Sequence, residues 1–169
     1  MIGVGDVFPE FELTGVDKDN NFINVYDGDL LDSWSVLYFY PKDFTFICPT
    51  EIQGFDALVG NDVDIIGFSP DNEYCKLAWK EQNELIRDIE HTLVADCSNQ
   101  LAMECGIVSD EWVPNRATFI LDEDNVVQSL TVNTLDTGRN HQEIERTLDS
   151  LRAGGLTGCN WQNGDDFVA

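Results

Sequence analysis

Positive charge is scarce in this chain. Nine Lys and Arg residues stand against 32 Asp and Glu, giving a formal net charge of −23. Such a surface repels phosphate backbones and anionic membranes, which argues against nucleic acid or a membrane as a partner. The acidity reads either as plain solubility or as adaptation to high salt, where counterions screen the self-repulsion. Close cysteine pairs are also missing. The five cysteines, at 48, 75, 97, 105 and 159, include no CxxC, which argues against a thioredoxin-type dithiol. Histidine is rare too: His91 and His141 sit near no cysteine, so no zinc-site spacing exists. No run approaches the roughly 20 apolar residues of a membrane span. The segment Met1 to Glu10 lacks a basic region followed by an apolar run, so no signal peptide is expected and the default compartment is the cytosol. Internal repeats and low-complexity segments are absent.

What remains is enough for one domain. The chain has 169 residues, 43% of them hydrophobic, and its 24% charged and 11% aromatic content is that of an ordered protein. Val36-Leu-Tyr-Phe-Tyr40 reads as a buried strand ended by Pro41. A helix with Pro49 in its first turn carries Ile52, Phe55 and Leu58. Val63 to Phe68 is a second buried strand. Asp71 is expected to cap a helix that turns Leu77, Ala78 and Trp79 to the core. Thr92 to Ala95 is a short strand, and Ser98 caps the short helix after it. Ala117 to Leu121 and Val126 to Val132 form a hairpin joined by Asp122-Glu-Asp-Asn125. Asn140 to Arg152 is amphipathic through Ile144, Leu148 and Leu151. Phe11 to Thr14 and Phe22 to Val25 decorate the sheet edge. Strands alternating with helices, then an antiparallel pair and a last helix, describe an α/β layered domain over 1–152. The Gly-rich tail 153–169 has no periodicity.

The chemistry concentrates in Tyr38-Phe-Tyr-Pro-Lys-Asp-Phe-Thr-Phe-Ile-Cys-Pro-Thr-Glu51. It leaves a strand, crosses a loop and enters a helix at Cys48-Pro49. A cysteine there faces unpaired backbone N–H groups and the positive end of the helix dipole, both of which favour a thiolate. Thr45 can donate its hydroxyl to that sulfur or to a substrate oxygen, and Pro41 and Pro49 fix the loop. Thiolate formation alone does not make a fast nucleophile. A generic thiol moved from about 8.5 to about 6 gains roughly 30-fold in thiolate at pH 7, yet loses roughly 10- to 18-fold in nucleophilicity. Most of the acceleration must come from groups that align the bond to be broken and stabilise the leaving oxygen.

The string Pro41-x-x-x-Thr45-x-x-Cys48 resembles the active-site signature of the peroxiredoxins, and the longer string resembles their typical two-cysteine subgroup. Leu77-Ala-Trp79 is similar to the helix with the tryptophan that flanks the site. Asn115-Arg116-Ala-Thr-Phe119 and Thr137-Gly-Arg139 are similar to the two arginine segments, and Gly158-Cys159-Asn-Trp161 to the resolving-cysteine region. The likeness runs in register over roughly Gly5 to Phe167. It implies a thioredoxin-like fold with an N-terminal extension and a central mixed sheet flanked by helices. It further implies hydroperoxide substrates, no metal or organic cofactor, homodimers or rings of dimers, and a thioredoxin-like or flavoprotein disulfide reductase as partner. By the same resemblance Cys48 forms a sulfenic acid. Cys159, from a partner subunit, then condenses with it to a disulfide. Arg116 holds the thiolate and the peroxide, Thr45 hydrogen-bonds the substrate, Glu51 orients an arginine and Arg139 is the second arginine. A ring-forming chaperone or peroxide sensor is the alternative role.

Cys75, Cys97 and Cys105 read as packing residues, and His91 and His141 as surface residues. The chain lacks the Gly-Gly-Leu-Gly insertion of easily over-oxidised relatives and their terminal aromatic pair. With so short a tail, resistance of Cys48 to over-oxidation is expected.

Overall fold

A computed structural model describes residues 1–169. Strand β3 (Trp34–Phe39) shows why its sequence is a continuous apolar run. Leu37 and Phe39 enter one core, while Val36, Tyr38 and the following Tyr40 enter another on the opposite face. A strand buried on both faces sits at the centre of a sheet covered on both sides.

Around it the order is β1 (Glu12–Val16), β2 (Phe22–Tyr26), a 3-10 turn at Asp27–Leu30, β3, α1 (Cys48–Asp56), β4 (Val63–Ser69), α2 (Glu73–Gln82), β5 (Thr92–Ala95), α3 (Gln100–Cys105), β6 (Arg116–Leu121), β7 (Val127–Asn133) and α4 (His141–Arg152). The seven strands form one sheet in the order β2-β1-β5-β4-β3-β6-β7. Strands β3, β4 and β5 run parallel, with α1 and α2 as the crossovers that parallel neighbours require. The β1–β2 hairpin and the β6–β7 pair add antiparallel edges. This is the mixed α/β sheet anticipated from the sequence.

One core, with Phe8, Phe11, Phe39, Phe68 and Phe119, lies on the α3 side. The other, with Tyr38, Tyr40, Cys48, Phe55, Trp79, Ile144 and Leu148, lies under α1, α2 and α4. The second core holds the Cys48 sulfur, so the candidate site is built into packing. Close approach shapes it. A Cβ at Gly54 would lie 2.9 Å from His141 Nδ1, and glycine there lets α4 close on α1.

Several local expectations are corrected. The cap of α2 is Asn72, whose side chain accepts from the Cys75 N–H; Asp71 instead accepts from the Asp43 N–H at 2.7 Å. The buried face of α2 is Lys76, Trp79 and Lys80, with Leu77 and Ala78 only half-buried. A lysine on that face finds a polar partner inside, which periodicity cannot foresee: Lys80 Nζ donates to the Asp17 carbonyl at 2.7 Å. At α3, Ser98 Oγ does accept from Gln100 N, but the Asp96 carboxylate takes the next two N–H groups, of Leu101 and Ala102. Cys105 is buried as expected, and burial pushes its thiol up to about 12. Cys97 is exposed, not packed. His91 is buried, not on the surface.

Burial also removes cations from an acidic surface. Lys76, Lys80 and Arg116 are buried, and the Arg139 side chain is 3% exposed. Lys18, Lys42, Arg87, Arg146 and Arg152 are left to oppose the surface carboxylates. Raising NaCl from about 0.1 M to about 1 M, which shortens the Debye length from about 10 Å to about 3 Å, is expected to raise the thermal unfolding midpoint. A midpoint that stays flat or falls would refute surface self-repulsion as a significant force here.

Candidate active site

Strand β3 delivers the chain to a seven-residue crossing, Pro41 to Ile47, before α1 begins at Cys48. The crossing is held from beneath. Asp43 Oδ1 accepts from Ser69 Oγ at 2.9 Å, and Lys76 Nζ lies 3.4 Å from the same oxygen. Lys76 also donates to Ser69 Oγ and stands 3.4 Å from the Tyr40 hydroxyl. Burial pushes the Asp43 carboxyl up and the Lys76 ammonium down, the directions expected for a pair removed from water. Sequence reading missed this cluster. Nothing in the local pattern signals it, since the helical neighbours of Lys76 are Asn72, Glu73, Trp79 and Lys80.

Pro49 in the first turn sets the helical φ and carries no N–H of its own. Cys48 is fully buried, and Pro41 and Pro49 are buried as well. Its Sγ lies 3.3 Å from Arg116 Nη1. Arg116 reaches it because β6 pairs antiparallel with β3. Tyr38 faces Thr118, so Arg116, two residues earlier, falls beside Tyr40 at the mouth of the crossing. The Arg116 Nε donates to the Leu135 carbonyl at 2.7 Å, which fixes the rotation of the guanidinium.

Glu51, one turn after Cys48, joins the two arginines. It accepts from Arg116 Nη1 at 2.6 Å, from Arg139 Nε at 2.9 Å and Nη2 at 3.0 Å, and from the Arg139 backbone N–H at 2.9 Å. Arg139 Nη1 donates further to the Ala117 carbonyl at 2.7 Å. Burial works against the Glu51 charge, but the arginines outweigh it and hold the carboxyl below its ordinary value. For Arg116, burial is likewise outweighed by the sulfur and by Glu51, and its affinity for the proton rises. A lowered carboxylate contributes stability above its ordinary range and loses it as pH falls through the lowered value.

Thr45 does not meet the sulfur in this state. Its hydroxyl donates to the Lys42 carbonyl at 2.9 Å, and it is half-buried in the crossing. Trp79 is buried, 6.2 Å from the Tyr40 ring and 6.0 Å from Phe44, so it flanks the site. Phe44 holds a left-handed φ of +55°, a conformation that L side chains adopt only under constraint. Cys159 is exposed on the tail, and no bond joins it to Cys48. The tail is nonetheless anchored close by. Trp161 is buried and stacked on Phe167, and its carbonyl accepts from Arg146 Nη1 at 3.2 Å.

The shared carboxylate makes a direct test. Glu51→Gln leaves two buried guanidinium groups without their anion, which is expected to lower unfolding stability by about 3–5 kcal/mol. Urea denaturation at pH 7 measures it. A variant within about 1 kcal/mol of wild type would contradict the central place given to Glu51.

With this geometry in view, comparison with known proteins is informative. Residues 4–130 match the AhpC/TSA family model. Alkyl hydroperoxide reductase C of Mycolicibacterium smegmatis is 37% identical, over 99% of this chain and 94% of that protein. Alkyl hydroperoxide reductase C of Mycobacterium tuberculosis is 31% identical over 98% and 92%. Among solved structures, the reduced 2-Cys peroxiredoxin of Plasmodium vivax superposes with a TM-score of 0.92 at 33% identity, covering 98% of this chain and 92% of that one. The match spans the crossing, α1 and β6, the elements that bring Cys48, Glu51 and Arg116 together, and this chain belongs to the AhpC/TSA family.

Proposed function

We propose that this chain, a thiol-dependent peroxidase, reduces hydrogen peroxide and organic hydroperoxides on Cys48 and resolves the product with Cys159. One observation carries the reading: a buried cysteine at a helix N-terminus, with a guanidinium 3.3 Å from its sulfur, held by a carboxylate shared with a second guanidinium.

The chemistry follows from the groups present. The Cys48 thiolate attacks the terminal oxygen of the hydroperoxide. An S–O bond forms, the O–O bond breaks, and the electron pair leaves on the second oxygen, which takes up a proton as alcohol or water. Arg116 faces the place where charge moves from sulfur to oxygen, and stabilises both. Glu51 and Arg139 keep Arg116 from rotating away. Pro41 and Pro49 exclude water. Thr45, whose hydroxyl donates to the Lys42 carbonyl, has its oxygen free to accept from the hydroperoxide O–H. The Cys159 thiol then attacks the sulfenic sulfur, forming the disulfide and releasing water. A thioredoxin-like or flavoprotein disulfide reductase returns both thiols.

A buried Cys48 and a Cys159 exposed on the tail favour resolution between subunits, in a homodimer or a ring of dimers. The tail 153–169 contains no helix or strand beyond the end of α4, which suits a segment that must approach and withdraw. A cytoplasmic location is part of the same proposal; separately, no helix is long and apolar enough to cross a membrane. No organic or metal cofactor enters the scheme.

The scheme predicts that one equivalent of hydrogen peroxide converts wild type to a dimer on a non-reducing gel. Reductant removes that band, and Cys159→Ser does not form it. A wild type that loses its thiols while staying monomeric would place resolution within one chain. A wild type that does not react would remove the peroxidase reading.

A further inference from the structure

The buried polar chain does not end at Arg139. The guanidinium carbon of Arg139 stands 5.4 Å from the centre of the Tyr38 ring and 5.1 Å from that of Phe55. These two rings stack 4.0 Å apart and 4° from parallel, and the near-equal distances place the cation beside the stack, at the rims of both rings. The Tyr38 hydroxyl reaches His91 Nε2 at 2.7 Å, and His91 Nδ1 lies 2.7 Å from Asp56 Oδ1. Tyr38 is 0% and His91 4% exposed. Asp56 is itself fixed by the Glu90 and His91 N–H groups at 2.8 and 3.3 Å. Gly67 faces Tyr38 across the β3–β4 pair, and a Cβ there would lie 2.5 Å from the phenol oxygen. Glycine at 67 is what lets the hydroxyl reach the histidine.

Hydrogen-bond valence fixes the direction of this chain. A carboxylate only accepts, so Nδ1 of His91 carries the hydrogen. In the neutral ring Nε2 is then an acceptor, and Tyr38 must donate to it. A phenol that gives its hydrogen away carries more negative charge, which draws the Arg139 cation beside it more strongly. Protonated His91 reverses this. Both its nitrogens would donate, the Tyr38 hydrogen would lose its partner in a dry core, and a second cation would stand at the phenol oxygen.

We propose that neutral His91 is a positioning residue for Arg139, acting through Tyr38. It thereby sets the Glu51–Arg116 pair at Cys48 without touching substrate. The proposal rests on the peroxidase reading of Cys48 and its arginines. The charged groups facing the imidazole are Asp56 from α1, Lys80 from α2 and Arg139 beyond Tyr38, with Asp29, Asp64 and Glu90 along the groove at its edge. Burial pushes His91 below its ordinary value against the pull of Asp56, which keeps it neutral at pH 7.

Two variants test this. Tyr38→Phe keeps the stacked ring and removes one oxygen. His91→Gln keeps a neutral acceptor for the phenol and removes the titration. The rate of Cys48 oxidation by hydrogen peroxide is followed by stopped-flow tryptophan fluorescence from pH 5.5 to 8. Alkylation of Cys48 by iodoacetamide serves as the thiolate reference. Tyr38→Phe is expected to slow the peroxide reaction roughly 3- to 10-fold at pH 7.5, with alkylation within about twofold of wild type. The ratio of peroxide to alkylation rate is expected to fall in acid for wild type and to stay flat for His91→Gln. The inference is overturned if both variants keep wild-type rates and pH dependence. It is equally overturned if peroxide and alkylation rates fall in parallel, the mark of a purely structural role. A wild type inert toward peroxide would instead overturn the peroxidase reading on which the inference stands.

Discussion

The arrangement depends on a single carboxylate. Glu51 sits three residues after the reactive cysteine on the same helix, so its position relative to the sulfur is set by helix geometry. It accepts hydrogen bonds from two guanidinium groups that come from distant parts of the chain, Arg116 at the start of β6 and Arg139 before α4. The anion makes it possible to bury two cations, and the cations make it possible to bury the anion. That exchange holds Arg116 against the buried Cys48 sulfur. The rest of the fold serves this contact. The antiparallel register of β6 against β3 brings Arg116 to the crossing, and the tight approach of α4 at Gly54 brings Arg139.

Much of this could be read from the residues. Short, nearly continuous apolar runs located β3, β4, β5 and β6, because a strand covered on both faces has few ways to be written. Asn140 and the spacing of Ile144 and Leu148 located α4 to within a residue. The order Thr45, Cys48, Pro49, Glu51 pointed to the site, since chemistry at a helix N-terminus is local in sequence. The polar contacts that cross the fold could not be read in this way. His91 looks like a surface residue until Tyr38, 53 positions away, supplies its partner. Lys76 and Lys80 look like the outer face of α2 until Asp43, Ser69 and the Asp17 carbonyl are found beneath them. Asp71 looks like a cap, yet the Asp43 N–H claims it and Asn72 caps instead. Each error has one cause: a polar side chain is placed by a partner far away in sequence, and one-dimensional pattern carries no record of that partner.

The same polar interior sets a tension for the reaction. Cys48 is sealed, while Cys159 lies exposed on a tail anchored through Trp161 and Arg146. Burial protects the sulfur and sharpens the field of Arg116, yet in the proposed cycle the two sulfurs must meet. The crossing between β3 and α1 leads directly to Cys48. It contains Phe44 at positive φ and is tied to the body by the Asp43, Ser69 and Lys76 cluster. Its stability therefore bears on both halves of the cycle.

The central claim is that rate comes from the oriented charge of Arg116 more than from thiolate formation. The most direct measurement compares Arg116→Ala with wild type in two reactions at Cys48, oxidation by hydrogen peroxide and alkylation by iodoacetamide, at pH 7.5. Loss of a positioned donor predicts a fall of about 100-fold or more in the peroxide rate, with alkylation changed by less than about tenfold. Equal losses in both reactions, or a peroxide rate near that of wild type, would contradict the account.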